Sequence, residues 1–369
     1  MARAPFLKFT GIHVLKILIS GICGFVGSVL AGCILESTPG VEITGLDNLM
    51  RPGSETNRRA LAAKGVRVIH GDIRCASDFE SLPAVDWVVD AAANPSVMGG
   101  VDGKSSSRQL VEHNLLGTVN LLEYCRRASA GFVLLSTSRV YSIPALAAVP
   151  LVVAGDRFAP DVSGSPVPGL SAAGLREDFS TAAPVSLYGA TKLASEALVL
   201  EYGTAYGFPV RVNRCGVMGG AGQFGTAEQG IFSYWLHAWK SGRALRYIGF
   251  DGLGRQVRDV FHPRDLATLV LRQMAHPDRK GPAILNIGGG LENSMSLAEL
   301  SAWCAGRFGS RPVDSDPNPR PFDLPWIVMD CTAAEHMWQW RPEVKLAPLL
   351  EEIAAHAAAH PDWLSLTAA

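Results

Sequence analysis

Short apolar runs alternate with stretches of helical period along the first two thirds of the chain. HVLKILIS (13–20), VEITGLD (41–47), VRVIH (66–70), VDWVVDAA (85–92), FVLLST (132–137) and PVRVNRC (209–215) read as strands buried on both faces. Between them, 26–36, 55–64, 106–128 and 189–206 carry apolar residues at helical spacing. This alternation predicts a parallel sheet with helices on both sides, a doubly wound α/β fold. From about residue 215 the alternation loosens into mixed helices and short strands joined by proline-rich segments such as RPVDSDPNPRPFDLP. The pattern therefore divides the chain into a first domain, 1–214, and a smaller mixed α/β lobe, 215–369, with segments at about 259–290 returning to the first domain. The segment 143–173, rich in Ala, Val, Pro and Gly, holds no sustained period and is expected to be a long, partly mobile insertion loop. Its place just before Tyr188 makes it a candidate lid.

Composition adds bounds. A chain of 369 residues, 48% hydrophobic, buries a large core. Its 33 basic and 34 acidic residues are interspersed, for a net charge of −1, which provides neither a nucleic-acid arm nor a patch for anionic membranes. Seven cysteines (Cys23, Cys33, Cys75, Cys125, Cys215, Cys304 and Cys331) are scattered without metal-ligand spacing, the pattern of free thiols in a reducing compartment. No zinc site is implied, and VLKILISG, interrupted by Lys16, is too short to span a bilayer. The expectation is a cytoplasmic protein.

Chemistry enters with GICGFVG, where Gly21, Gly24 and Gly27 follow a strand and open a helix. Glycines here permit a tight turn and close backbone approach to a pyrophosphate, and the helix start offers its free amides; flanking Phe25 and Val26 would share the site. Asp47 ends the second strand, twenty positions beyond Gly27, where a carboxylate accepts from a ribose 2′-hydroxyl and repels a 2′-phosphate, favouring NAD over NADP. Asn48 adjoins it, and Arg51 is near enough to weaken that discrimination. GDIR would place Asp72 and Ile73 near an adenine, and AAAN (91–94) gives Ala91, Ala92 and Ala93 to the cofactor and Asn94 to the substrate. Tyr188 and Lys192, four apart in SLYGATK, share one helix face and can reach one ligand.

With STSRVY ending the fifth strand, the glycine motif and the Tyr–Lys pair together resemble the extended short-chain dehydrogenase/reductase family, with its Rossmann domain. The resemblance implies that the Tyr188 hydroxyl is the general acid/base, that Lys192 holds the nicotinamide ribose and lowers the tyrosine pKa, and that Thr137 orients the substrate. An unperturbed phenol titrates near ~10 and needs such help to ionise near neutral pH. DNLMRPG, HGDIR, NLLGTVNLLE, GGAGQFGTAEQG, GRQVRDVFH and NIGGGLENSMSL narrow the likeness to sugar-nucleotide epimerases acting at carbon 2, the branch typified by CDP-paratose 2-epimerase. That likeness implies that Asn114 supports the site's backbone beside the cofactor and that Gln223 and Arg258 follow a nucleotide diphosphate. By it, Asn213 and Cys215 of NRCGVMGG line the sugar and nicotinamide, and Phe224 and Gln229 join the substrate contacts. A guanidinium at Arg258 suits a diphosphate; its alternative is a salt bridge to Asp259 or Asp265.

Family members that dehydrate or decarboxylate carry an acid just after the threonine, where this chain has Ser138 and Arg139, both expected to face substrate. Redox-neutral epimerisation of a nucleotide diphosphate sugar, with NAD regenerated each cycle, is the favoured reading. Inversion at carbon 4, net dehydrogenation and a silent NAD-binding regulator are the rivals. Three departures stand against the family pattern: Ser142 for a glycine, Leu187 for a proline, and the 143–173 insertion. Glu123 and Tyr124 on the 106–128 helix are expected in a helix bundle between subunits of a homodimer or homotetramer. His356 and His360 have chelating spacing but lack a third ligand nearby in the sequence, and Trp338 and Trp340 read as packing.

Overall fold

The computed structural model describes residues 14–367 except 102, 104, 105, 162, 227 and 228. His13 of the leading strand segment, and Ala227 and Glu228 of QFGTAEQG, lie outside the described residues. The first half runs β1 (Lys16–Ser20), α1 (Phe25–Ser37), β2 (Glu42–Asp47), α2 (Ser54–Ala63), β3 (Arg67–His70), β4 (Trp87–Asp90), α3 (Ser107–Val111), a π-helical turn (Glu112–Leu116), α4 (Gly117–Ala128) and β5 (Gly131–Thr137). The insertion gives α5 (Ile143–Ala147), β6 (Leu151–Ala154), β7 (Arg157–Pro160), β8 (Leu170–Ser171) and β9 (Gly174–Leu175). There follow α6 (Ser186–Tyr206), β10 (Val210–Cys215), β11 (Val217–Met218), α7 (Ile231–Lys240), β12 (Arg246–Ile248), β13 (Val257–Phe261), α8 (Pro263–Ala275) and β14 (Ile284–Ile287). The chain ends with β15 (Ser294–Ser296), α9 (Leu297–Phe308), β16 (Asp314–Asp316), β17 (Trp326–Ile327), α10 (Thr332–Trp338), α11 (Leu346–Ala359) and α12 (Trp363–Leu366).

Seven parallel strands form the main sheet in the order β14-β10-β5-β4-β1-β2-β3. The order reverses between β1 and β4, and the crevice at the strand ends there is where doubly wound sheets bind ligands. One face packs on α1 and α8 through Ile17, Ile19, Leu30, Leu266 and Val270; the other packs on α4 and α6 through Leu18, Val88, Leu121, Phe132 and Val199. Burial on both faces explains why these strands are continuous apolar runs rather than alternating ones. The lobe has its own core, in which α7, α9 and α11 bring together Trp235, Leu236, Leu300, Leu349 and Ile353. Both α8 and β14 rejoin the main sheet, and α10 packs there as well, burying Trp338 and Trp340 beneath it. No helix among the described residues is long and apolar enough to cross a membrane.

Two expectations are corrected here. The insertion is no structureless loop: β6 and β7 form an antiparallel hairpin, and Leu146, Val149 and Leu175 pack on Val257, Trp326 and Ile327 of the lobe. Arg157 fastens the hairpin, donating to Ser294 O at 2.6 Å and to Glu299 at 3.2 Å. Tyr124, expected at a subunit contact, is 4% exposed and belongs to the sheet core, its hydroxyl donating to Pro83 O. Glu123 stays near the surface and accepts from Tyr202 of α6 at 2.7 Å. Neighbours along a helix point to different faces, so Glu123 and Tyr124 do not form one patch.

Candidate active site

At the start of the cleft, β1 turns into α1 through Gly21, with φ of +63°. A Cβ on Gly21 would lie 2.7 Å from Ala92 Cα, and one on Gly27 2.4 Å from Gly21 O, so only glycine permits this close strand–helix–strand approach. Gly24 precedes α1 without a side-chain cap, leaving the helix-start amides available to an anion. Ser20 and Thr118 both donate to buried Asp90, at 2.8 and 2.7 Å, fixing β4 and hence Ala91–Ala93 along the cleft.

Asp47 ends β2, where it accepts from the amides of Cys23 and Leu49, each at 2.8 Å. Burial raises its pKa, and those two amides oppose the rise. Asn48, Arg51 and Ile73 also line the cleft, but Asp72 does not. Its carboxylate turns to Arg74, at 2.6 Å, and accepts from Asn48 at 3.0 Å; the Arg74 guanidinium holds it well below the usual range. The contribution of Asp72 is to fix Asn48. Arg51 reaches across to the lobe, donating to Phe224 O at 2.7 Å and to Gln229 at 3.5 Å.

Thr137 ends β5, and Tyr188 and Lys192 stand on the first turns of α6; all three are buried and line one cleft of about 560 Å³. The helix comes this close because residue 189 is glycine: a Cβ there would sit 2.2 Å from Arg139 O. Burial pushes the Tyr188 phenol up to about 12, while a hydrogen bond with Thr137 and the charge of Arg139 pull it down. The cation whose charge lowers the Tyr188 pKa in the protein alone is Arg139. Burial lowers the Lys192 pKa, opposed by Asp90, Cys215 and Glu196.

Beneath this centre lies a buried network absent from the sequence reading. Glu196, one helical turn beyond Lys192, accepts from Ser136 at 2.5 Å and from Arg214 at 2.7 Å. Arg214 also donates to Glu177 O at 3.0 Å, and Tyr141 donates to Asn286 at 2.6 Å. The i, i+4 spacing of Lys192 and Glu196 was a readable sign; the partners, from four other segments, were not. Gln109 and His113 of the cleft wall were also missed.

Asn114 backs the cleft wall, and one predicted contact, Asn213, is relocated. Asn114 is 1% exposed and lies outside the cleft wall, its amide bridging Asn94 N at 2.8 Å and Asn94 O at 2.9 Å, so it holds Asn94, which does line the cleft. Asn213 is fully buried and exchanges hydrogen bonds with Gln273 at 3.0 and 2.9 Å, facing α8 instead of the ligand side. Cys215, two positions on, shares that face but stands at the end of the strand, where it lies in the cleft wall.

Ser138, Arg139, Gln223, Phe224 and Gln229 line the cleft, whereas Arg258 lines a second cavity of about 170 Å³. The two cavities share Val97, Arg139, Val217 and Gly230 and so adjoin one another. Arg258 pairs with Asp323 at 3.0 Å, not with Asp259 or Asp265, and Arg139 donates to Phe322 O at 3.0 Å. Arg320 completes three guanidiniums around this cavity. Gln223 and Phe224 are propped by Trp363, which donates to Gln223 O at 2.9 Å and stacks on Phe224. His356 meets His237 at 3.0 Å, and among the described residues no group of three or more His, Cys, Asp or Glu is arranged to hold a metal ion.

The NAD dependent epimerase/dehydratase family model matches residues 17–288. A CDP-paratose 2-epimerase from Salmonella typhi is 29% identical over 351 residues, covering 89% of this chain and 95% of that protein. A UDP-glucose 4-epimerase from Corynebacterium glutamicum is 26% identical over 357 residues, covering 94% and 96%. Among solved structures, a UDP-glucuronic acid 4-epimerase from Bacillus cereus, in complex with UDP-glucuronic acid and NAD, shares the fold with a TM-score of 0.74 at 23% identity, over 94% of this chain and 99% of that one.

Proposed function

The chain belongs to the NAD dependent epimerase/dehydratase family, and from that premise we propose that it inverts carbon 2 of a sugar carried on a nucleoside diphosphate. One observation carries the choice of epimerisation over elimination. Among the described residues lining the main cleft, the only carboxylate is Asp47, and it belongs to β2, tied to the glycine turn rather than to Thr137. Elimination or decarboxylation next to a keto group needs a proton carrier at that carbon, and Ser138 and Arg139 provide no carboxylate. The carbon-2 assignment rests on the likeness to the Salmonella typhi protein.

The cleft fits a dinucleotide: a Cβ at Gly21 or Gly27 would fill the turn where a pyrophosphate approaches, and Asp47, Ile73 and Ala91–Ala93 line the way toward Thr137. NAD held there supplies reversible acceptance and return of hydride. Tyr188, ionised, takes the sugar hydroxyl proton on its phenolic oxygen and gives it back after the sugar has turned. Thr137 orients the hydroxyl, and the Arg139 charge favours the phenolate. The Lys192 ammonium would hold a ribose hydroxyl. The arginines of the second cavity would anchor the diphosphate, leaving the sugar free to rotate. A dimer or tetramer would use the outer faces of α4 and α6, which carry Glu123, Arg126, Tyr202 and Tyr206; light scattering tests it.

Proton NMR of the protein with catalytic NAD and CDP-, UDP- and dTDP-linked sugars, read beside NADH absorbance, tests this function. A new epimer without NADH, lost in Tyr188→Phe, is expected. Inversion at carbon 4 would replace the carbon assignment, and NADH accumulating with a keto product would sink epimerisation.

A further inference from the structure

Thr137 stands at a strand end that the main sheet holds from one side only. Along β5 the ladder with β4 ends at Asp90 opposite Leu134, whereas the ladder with β10 continues through Arg214 opposite Ser136 and Cys215 opposite Thr137. Among the described residues, the end of β5 therefore has one neighbouring strand. Its second restraint is a side-chain tether to α6. Leu134 and Val212 pack on the α6 side of the sheet, and since alternate residues share a face, Ser136 and Arg214 face that side too. Both grip one carboxylate: Glu196 accepts from the Ser136 hydroxyl at 2.5 Å, from Arg214 Nε at 3.0 Å and from Nη2 at 2.7 Å. The remaining guanidinium nitrogen, Nη1, donates to Glu177 O at 3.0 Å, so Arg214 is held on every side. Tyr188, Lys192 and Glu196 follow one another at four-residue spacing, which puts them on one stripe of α6.

Glu196 and Arg214 are 2% and 5% exposed. Desolvating two charges offsets most of what their attraction returns, so a buried pair is explained better by the geometry it fixes than by stability. We propose that the Glu196–Arg214 pair, acting through Ser136, is a positioning unit that holds Thr137 within hydrogen-bonding reach of Tyr188. This inference rests on the reading of Tyr188 as the proton carrier. Three elements meet at one carboxylate: β5, which carries Thr137; β10, which brings Cys215 to the cleft wall; and α6, which carries Tyr188. A slip of β5 along α6 stretches the Ser136–Glu196 bond as it lengthens the one between Thr137 and Tyr188. The second bond matters because it favours the phenolate against burial.

pH–rate profiles of the full chain loaded with NAD, in wild type, Ser136→Ala and the double variant Glu196→Met/Arg214→Met, test the proposal. Ser136→Ala removes the tether and leaves the titratable groups around Tyr188 in place: Arg139 and Cys215, with Lys192, Glu196 and Arg214 beyond them. The double variant removes the anchor without stranding a lone buried charge, and neither of its residues lines the cleft. Glu196→Gln/Arg214→Gln serves if it does not fold. Both changes are expected to raise the apparent pKa governing kcat/KM by about one pH unit. Below that pKa, kcat and kcat/KM therefore fall together about tenfold with KM unchanged, and the rate recovers at high pH. A pair that only supports the fold would lower Tm and reduce the rate equally at every pH, and such coincident normalised profiles overturn the proposal. A shift in Ser136→Ala that the double variant lacks also overturns it, since Ser136 would then act on a ligand directly. NMR of isotope-labelled tyrosine, read at Cζ with Tyr188 assigned from Tyr188→Phe, follows the same phenol without turnover. If the wild type turns over no nucleotide sugar, the functional reading falls and the NMR still decides: a Tyr188 titration displaced upward in both variants keeps the positioning role, and a coincident one overturns it.

Discussion

Tyr188 is the residue at which the opposing influences of the site meet. Burial pushes its phenol up to about 12, and Thr137 and Arg139 work against that. A base is active only when ionised, so kcat/KM is expected to fall as pH drops through the apparent pKa of the loaded enzyme. Arg139→Met removes a nearby positive charge and raises that pKa, so the loss should begin about one pH unit higher. Measured pH–rate profiles of the two proteins check this, and coincident profiles would reject the role of Arg139. That Tyr188, Lys192 and Thr137 would meet in one cleft was legible because their spacing matches a family pattern. The electrostatic role of Arg139 was not, since a charge acting across a cleft leaves no periodic trace in sequence.

Elements matter through the distances they impose. Helix α6 lies against the 137–141 segment only because Gly189 has no side chain. Gly189→Ala places a methyl group against a backbone carbonyl that cannot rotate away, so either the helix or the segment must shift. An overpacking cost of about 1–3 kcal/mol is expected by urea unfolding, with a larger fall in kcat than a distant surface substitution causes. The insertion is held as an element by Arg157, and Arg157→Ala should expose the β6–β7 hairpin to limited proteolysis while leaving the main sheet protected. Equal protease resistance in both proteins would show that the apolar packing alone fixes it. The hairpin itself was readable: Gly155 and Asp156 form a two-residue turn between strand-like runs, and Gly155 has φ of +63°. Its destination on the lobe was not, because that depends on residues more than a hundred positions away.

Across the whole molecule, domain and lobe are joined by chain crossings and buried polar groups. Asp259, on β13, is fully buried and accepts from the amides of Gly289, Gly290 and Met329 at 2.8, 3.2 and 3.3 Å. Burial nonetheless pushes its pKa from 3.8 up to about 6. The folded chain therefore keeps this proton to higher pH than the unfolded chain does. The stability it contributes is complete below about pH 4 and is lost as pH rises through about 6. Asp259→Asn should remove this part of the Tm–pH slope between pH 4 and 6, a difference of roughly 2–3 kcal/mol against wild type. Parallel slopes in the two proteins would count against it.

The sequence by itself determined the doubly wound sheet, the glycine turn, and the segments that hold Thr137, Tyr188 and Lys192, because hydrophobic period and glycine placement act over a few residues. Tertiary structure alone decided which face each side chain meets. It turned Asn213 to Gln273 and Tyr124 into the core, and placed Arg258 in the cavity adjoining the cleft. The physical reason is that facing and pairing depend on atoms brought together from distant segments, and local periodicity carries no information about which segments those are.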